Sequence, residues 1–152
     1  MAFEALLHEL NRLQRRLYES YREFNTTIDN LETDRWKTHF AAQAKKRKYY
    51  YEAIRETIKG YGSTPKDITH PFSDAADEIF TDVKTFLTGE DDKFILQEAL
   101  LKERKLIEAY QQALAVKTVD EKLRNVLEPQ LQEVERELGE IQAGLDEIAR
   151  HS

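Results

Sequence analysis

Cysteine is absent from this 152-residue chain, which removes disulfide staples, thiolate zinc sites, iron–sulfur clusters and cysteine nucleophiles together. Proline and glycine are scarce, at 3 and 5 residues. All-β architectures need turn residues every 8–12 positions or so and are excluded on that ground. No uncharged apolar run approaches the roughly 18 residues a membrane helix requires. The start, Met1-Ala2-Phe3-Glu4, lacks a basic segment followed by an apolar one, so neither export nor membrane insertion is expected and a cytoplasmic location is. No Ser-His-Asp set, nucleophile elbow or glycine-rich phosphate loop is present.

What the chain does have is 40% hydrophobic and 34% charged residues, the balance of long amphipathic helices. The net charge of −6 is unevenly spread: residues 1–60 carry twelve basic and nine acidic groups, whereas the remainder carries eleven and twenty. Such an acidic field disfavours nucleic acid and anionic membrane as partners.

Apolar residues at alternating three- and four-residue steps predict a first helix over about Ala2 to Leu31, with Phe3, Leu6, Leu10, Leu13, Leu17, Tyr21, Phe24, Ile28 and Leu31 on one stripe. A second, about Asp34 to Lys59, carries Trp36, Phe40, Gln43, Arg47, Tyr50 or Tyr51, Ile54 and Ile58 in the same register, and Gly60 and Gly62 end it. Its two middle stripe positions are polar. After the turn-forming Ser63-Thr64-Pro65 and His70-Pro71, a shorter crossover helix is expected over about Asp74 to Leu87. A third long helix, about Asp91 to Val116, has the stripe Ile95, Ala99, Glu103, Leu106, Tyr110 and Ala113. Thr118-Val119-Asp120-Glu121 reads as a capping box opening a fourth, with Leu127, Leu131, Val134, Leu138, Ile141, Leu145 and Ile148 inward. Pro129 should kink that helix or mark a later start.

Four helices of matched length, roughly 40 Å each at 1.5 Å per residue, predict one all-α domain over residues 1–152. Short links make helices one and two, and three and four, antiparallel hairpins. The long link between two and three lets those run parallel, the up-down-down-up connectivity of a ferritin-like four-helix bundle with an extra crossover helix. The run Phe86-Leu87-Thr88-Gly89-Glu90-Asp91-Asp92-Lys93-Phe94-Ile95-Leu96, continued by Glu98 to Ala115, resembles the entry into the third helix of a bacterial ferritin-like four-helix-bundle family classed as a domain of unknown function. The resemblance implies that fold and no established activity.

Ferritin-like metal enzymes take one Glu from each of two helices and a Glu-x-x-His from each of the other two. Here the residues three before His8, His39, His70 and His151 are Ala5, Trp36, Asp67 and Ile148, so no Glu-x-x-His occurs. Against the resemblance, the fourth-helix histidine falls near Leu138 and the first-helix glutamate near Asn25. Glu103 is left as the one inward carboxylate, and neither metal nor cofactor is expected. Opposite charges at central stripe positions are expected to meet rather than stay unpaired. Arg47 and Glu103 are therefore expected to form an internal ion pair, with Gln43 and Tyr21 or Tyr110 completing its hydrogen bonds.

The basic run Lys45 to Lys48 should splay around its helix as solvated surface. Tyr49, Tyr50 and Tyr51 should splay likewise, and form a candidate contact patch. Glu133, Glu135, Glu137 and Glu140 should make a solubilising acidic face. The expected function is a non-enzymatic bundle acting through protein contacts or self-association. The alternative is a ferritin-like metal-dependent oxidase or metal carrier with an altered carboxylate site.

Overall fold

The computed structural model describes residues 3–67 and 91–151, which contain four α-helices and no strand. The expected crossover helix, His70 and the Thr88-Gly89-Glu90 stretch lie outside the described residues.

Leucine spacing makes α1, Glu4–Thr27, which buries Leu6, Leu10, Leu13, Gln14, Leu17, Ser20, Phe24 and Thr27. A 3₁₀ turn, Ile28–Asn30, and extended Leu31 lead to α2, Asp34–Gly60. Asp92, in the first turn of α3 (Asp91–Leu114), holds that junction. Its Oδ1 accepts from the Glu32 amide at 2.7 Å, and its Oδ2 from the Thr33 amide at 3.1 Å and the Thr33 hydroxyl. At the other end of α2, Gly62 adopts φ +79°. The Gly62 and Ser63 amides turn back to the Lys59 and Ile58 carbonyls at 2.9 and 3.3 Å, satisfying groups a helix end would leave open. The outgoing chain is then tied down, since the Lys66 amide donates to Asn11 Oδ1 and its carbonyl accepts from buried Gln14.

The fourth helix, α4, runs over Glu121–Arg150. Its cap differs from the one expected. Asp120, extended at ψ 177°, accepts from the Leu123 amide at 2.8 Å, because it is the last residue off the helical conformation and Thr118 lies too early to reach. Pro129 stands within α4, so the helix does not start late.

The inward stripe of α4 also departs from expectation. Gln130, Glu137 and Gly144 are buried beside Leu127, Val134 and Ile141, while Leu131, Leu138 and Leu145 flank the core half-buried. Trp36 supplies a reason: its ring lies over Gly144, where an added Cβ would come within 2.2 Å of Cζ2. Seating that ring turns residues 130, 137 and 144 toward the interior.

Side-chain pairs fix how the helices lie together. Phe24 meets Phe40 edge-on at 4.8 Å, Tyr18 meets Tyr51 at 5.4 Å, and Arg55 donates to Gln14, so numbers rise along α1 as they fall along α2. The same opposition holds for Arg12 with Gln112 and Glu23 with Lys102 between α1 and α3. It holds again for Arg35 with Glu147 and Lys46 with Glu133 between α2 and α4.

Two apolar clusters fill the interior. One is mostly aliphatic: Leu6, Leu10, Leu13, Leu17, Ile54, Ile58, Leu106, Leu127 and Val134, with Tyr110. The other gathers Phe24, Trp36 and Phe40 with Ile95, Leu96 and Ile141. Each fully buried side chain of this kind contributes about 1.5–3 kcal/mol, which is enough to tolerate a charged layer between them.

Candidate functional site

Charged and polar side chains lie between the two apolar clusters. Gln43 and Arg47, one turn apart on α2, share a face, and α1 brings Ser20 and α3 brings Glu103 to it. Arg47 is 0% and Glu103 1% exposed. The guanidinium donates from Nη1 to Glu103 Oε1 at 2.6 Å and from Nη2 to Oε2 at 2.9 Å, a two-bond fork matched to a carboxylate. Nη1 also reaches Ser20 Oγ at 3.1 Å, Nη2 reaches Gln43 Oε1 at 3.5 Å, and the Phe24 ring centroid lies 5.2 Å from Cζ.

Burial alone would lower the Arg47 pKa, but the charge and hydrogen bonds of Glu103 outweigh it and hold the guanidinium charged. Burial pushes the Glu103 carboxyl above its ordinary value, and Arg47 opposes that shift. The expected tyrosine partners are replaced. The Tyr110 hydroxyl donates to Gln130 Oε1 at 2.7 Å, and Tyr21 takes the Lys48 ammonium over its ring at 5.9 Å. Ser20, small enough to stand between α1 and α2, accepts from Arg47 instead.

A second polar group lies where α2 meets α4, and sequence reasoning missed it. Glu137, expected on the acidic surface, is 0% exposed. Its Oε2 stands 2.6 Å from His39 Nε2, and Glu140 Oε2 stands 3.5 Å from His39 Nδ1. The three residues place ligand-type atoms within 4.8 Å of one another. Arg136 donates to Glu137 Oε1 at 3.0 Å and pairs with Glu133 and Glu140. The signal that could have found this group was the i,i+3 spacing of Glu137 and Glu140, together with a histidine on the stripe side of Trp36.

The tyrosines separate. Tyr49 is 70% exposed, Tyr50 packs half-buried against the aliphatic cluster, and Tyr51 lies between Tyr18 and Arg55. The basic run divides too, with Arg47 buried, Lys46 on Glu133 and Lys48 over Tyr21.

The family model described as a domain of unknown function, DUF2383, matches residues 5–117. The chain belongs to the DUF2383 family. The DUF2383 match spans α1, α2 and α3 with His39, Gln43, Arg47 and Glu103, and ends in the turn before α4. No curated protein and no solved structure gives a significant match.

Chemically, the centre of this DUF2383 bundle holds an ion pair with a bond on each carboxylate oxygen, although Arg47 Nε is left buried without a hydrogen-bond partner. One carboxylate with both oxygens on a guanidinium has no strong donor left for a cation, and a fixed positive charge repels divalent ions placed beside it. Among the described residues, Arg47 and the Glu103 it binds do not fit the dinuclear centre that ferritin-like connectivity would imply.

Proposed function

We propose that this DUF2383 chain is a non-enzymatic four-helix bundle of ferritin-like connectivity, working in the cytoplasm as a self-associating or protein-contact module. The antiparallel pairs α1 with α3 and α2 with α4 support that connectivity. So does Asp92, which joins the start of α3 to the start of α2. The observation that carries the non-enzymatic reading is Arg47, buried in the layer where ferritin-like enzymes hold metal and bound through both terminal nitrogens to Glu103. Exposed Tyr49, edge-on to Tyr50 at 6.3 Å, supports a contact surface on α2, since aromatic side chains bury much area at little entropy cost.

Sedimentation velocity over a rising concentration series tests the module, with Tyr49→Glu as the comparison. Association that the variant weakens is the expected result, and a strictly monomeric wild type contradicts self-association. Oxidation of ferrous iron by oxygen faster than in buffer alone, lost on Glu103→Gln, would overturn the non-enzymatic reading.

A further inference from the structure

We propose that His39, Glu137 and Glu140 form a binding site for a single divalent first-row transition ion, with zinc its readiest occupant, at the seam of α2 and α4.

Two observations on different groups meet here. The first is the donor set, one imidazole and two carboxylates drawn from two helices, with ligand-type atoms within 4.8 Å. Glu137 and Glu140 are three residues apart, so one face of α4 presents both. The second is the state of the buried atoms. Glu137 is fully buried, yet its Oε2 accepts no hydrogen bond, and His39 Nε2 makes none either. The two atoms touch at 2.6 Å without a hydrogen-bonding angle. A carboxylate oxygen held out of water requires a positive partner, and Arg136 supplies one only to Oε1.

The chemistry of the donors selects the ion. Calcium and magnesium take oxygen ligands, whereas an imidazole nitrogen with carboxylate oxygens suits zinc, manganese or ferrous iron. As ligands, a neutral imidazole and two carboxylates would cancel a 2+ charge. Ligands about 2.1 Å from an ion stand roughly 3.0–3.4 Å apart, so Nε2 and Oε2 would separate by about half an ångström. Arg136, its side chain 49% exposed, would swing off Glu140 into solvent to admit the ion. Glu137 and Glu140 lie beyond the residues that the DUF2383 family model matches, and the site shares no residue with the Arg47–Glu103 pair, although both members of that pair feel the charge of Glu137.

Calorimetric titration of the full chain with zinc chloride, followed by elemental analysis after desalting, reads the site. The expected result is about one zinc per chain, lost in Glu137→Gln and His39→Ala. It should be weakened in Glu140→Gln, whose half-exposed position leaves the fold intact. Arg136→Gln removes the competing cation and should tighten binding on the order of tenfold, the scale of effects from groups beside a metal's ligands. The ¹⁵N resonance of the His39 ring, which should move on zinc addition in the unaltered chain, keeps the proposal testable if His39→Ala does not fold. No zinc uptake by either the wild type or Arg136→Gln overturns it. So does uptake that Glu137→Gln and Glu140→Gln leave unchanged, or a His39 resonance that zinc does not move. Zinc has no redox chemistry, so these outcomes are separate from the iron-oxidation test.

Discussion

Two buried carboxylates, Glu103 and Glu137, sit in different surroundings. Glu103 meets a guanidinium that reached it from across the bundle and satisfies both of its oxygens. Glu137 has the half-exposed Arg136 on one oxygen and an imidazole nitrogen pressed against the other. Both are charges removed from water, but only the first has a hydrogen bond on each carboxylate oxygen, the atom without a partner on its side being Arg47 Nε. The difference shows that burial of a charge does not define its role: a sealed pair specifies packing, whereas an incomplete one is where a ligand would add most.

Breaking the sealed side should give the largest effect. Arg47→Met strands Glu103 in the interior and should destabilise the fold by about 3–5 kcal/mol, the range for removing one partner of a buried pair, as read by urea unfolding. Gly144→Ala, at the aromatic end of the same α2–α4 seam, drives a methyl into the Trp36 ring. Overpacking of that kind costs about 1–3 kcal/mol, and thermal unfolding should register the loss. On the incomplete side, Glu137→Gln removes a buried charge whose Oε2 accepts no hydrogen bond, while its amide can still meet His39. It should therefore cost less than about 1 kcal/mol, against about 2–3 kcal/mol for Glu103→Gln, which weakens two charge-assisted bonds. Equal losses from the two glutamine variants would erase the distinction.

The smallest effect concerns pH. Glu133, beside the incomplete site, is held down to about 2 by hydrogen bonds and charge from Arg136 and Lys46, against an ordinary value of 4.5. Its folded pKa is depressed, so its contribution to stability is fully present above 4.5 and is lost as pH falls toward about 2. Being at the surface, that contribution is slight. Carboxyl resonances followed by NMR should show Glu133 titrating low in the wild type and closer to its ordinary value in Arg136→Gln.

Much of the architecture was legible because apolar spacing is a local property. Leu6, Leu10, Leu13 and Leu17 define one face of α1 whatever they pack against, and Gly62 just after α2 ends it through its own positive φ. The register that placed Gln43, Arg47 and Glu103 on the stripes came from the same periodicity, and all three are buried. What escaped reading depends on a second helix. Leu138 is more apolar than Glu137, so α4 taken alone turns Leu138 inward. Trp36 over Gly144, His39 against Glu137 and the Tyr110 hydroxyl on Gln130 hold the helix turned the other way. Ser20 was passed over for a similar reason, since a small hydroxyl becomes a partner only when an arginine from α2 arrives beside it. Thr118 and Asp120 both suit a cap, and the choice between them rests on which residue leaves the helical conformation last.

The most direct test of the central claim is a double-mutant cycle on Arg47→Met and Glu103→Leu, measured as unfolding free energies in urea. If the two charges form one closed unit, each single variant should be severely destabilised and the double variant should recover most of the loss. Losses that simply add in the double variant would contradict the account, because each side chain would then be serving partners other than its counterpart.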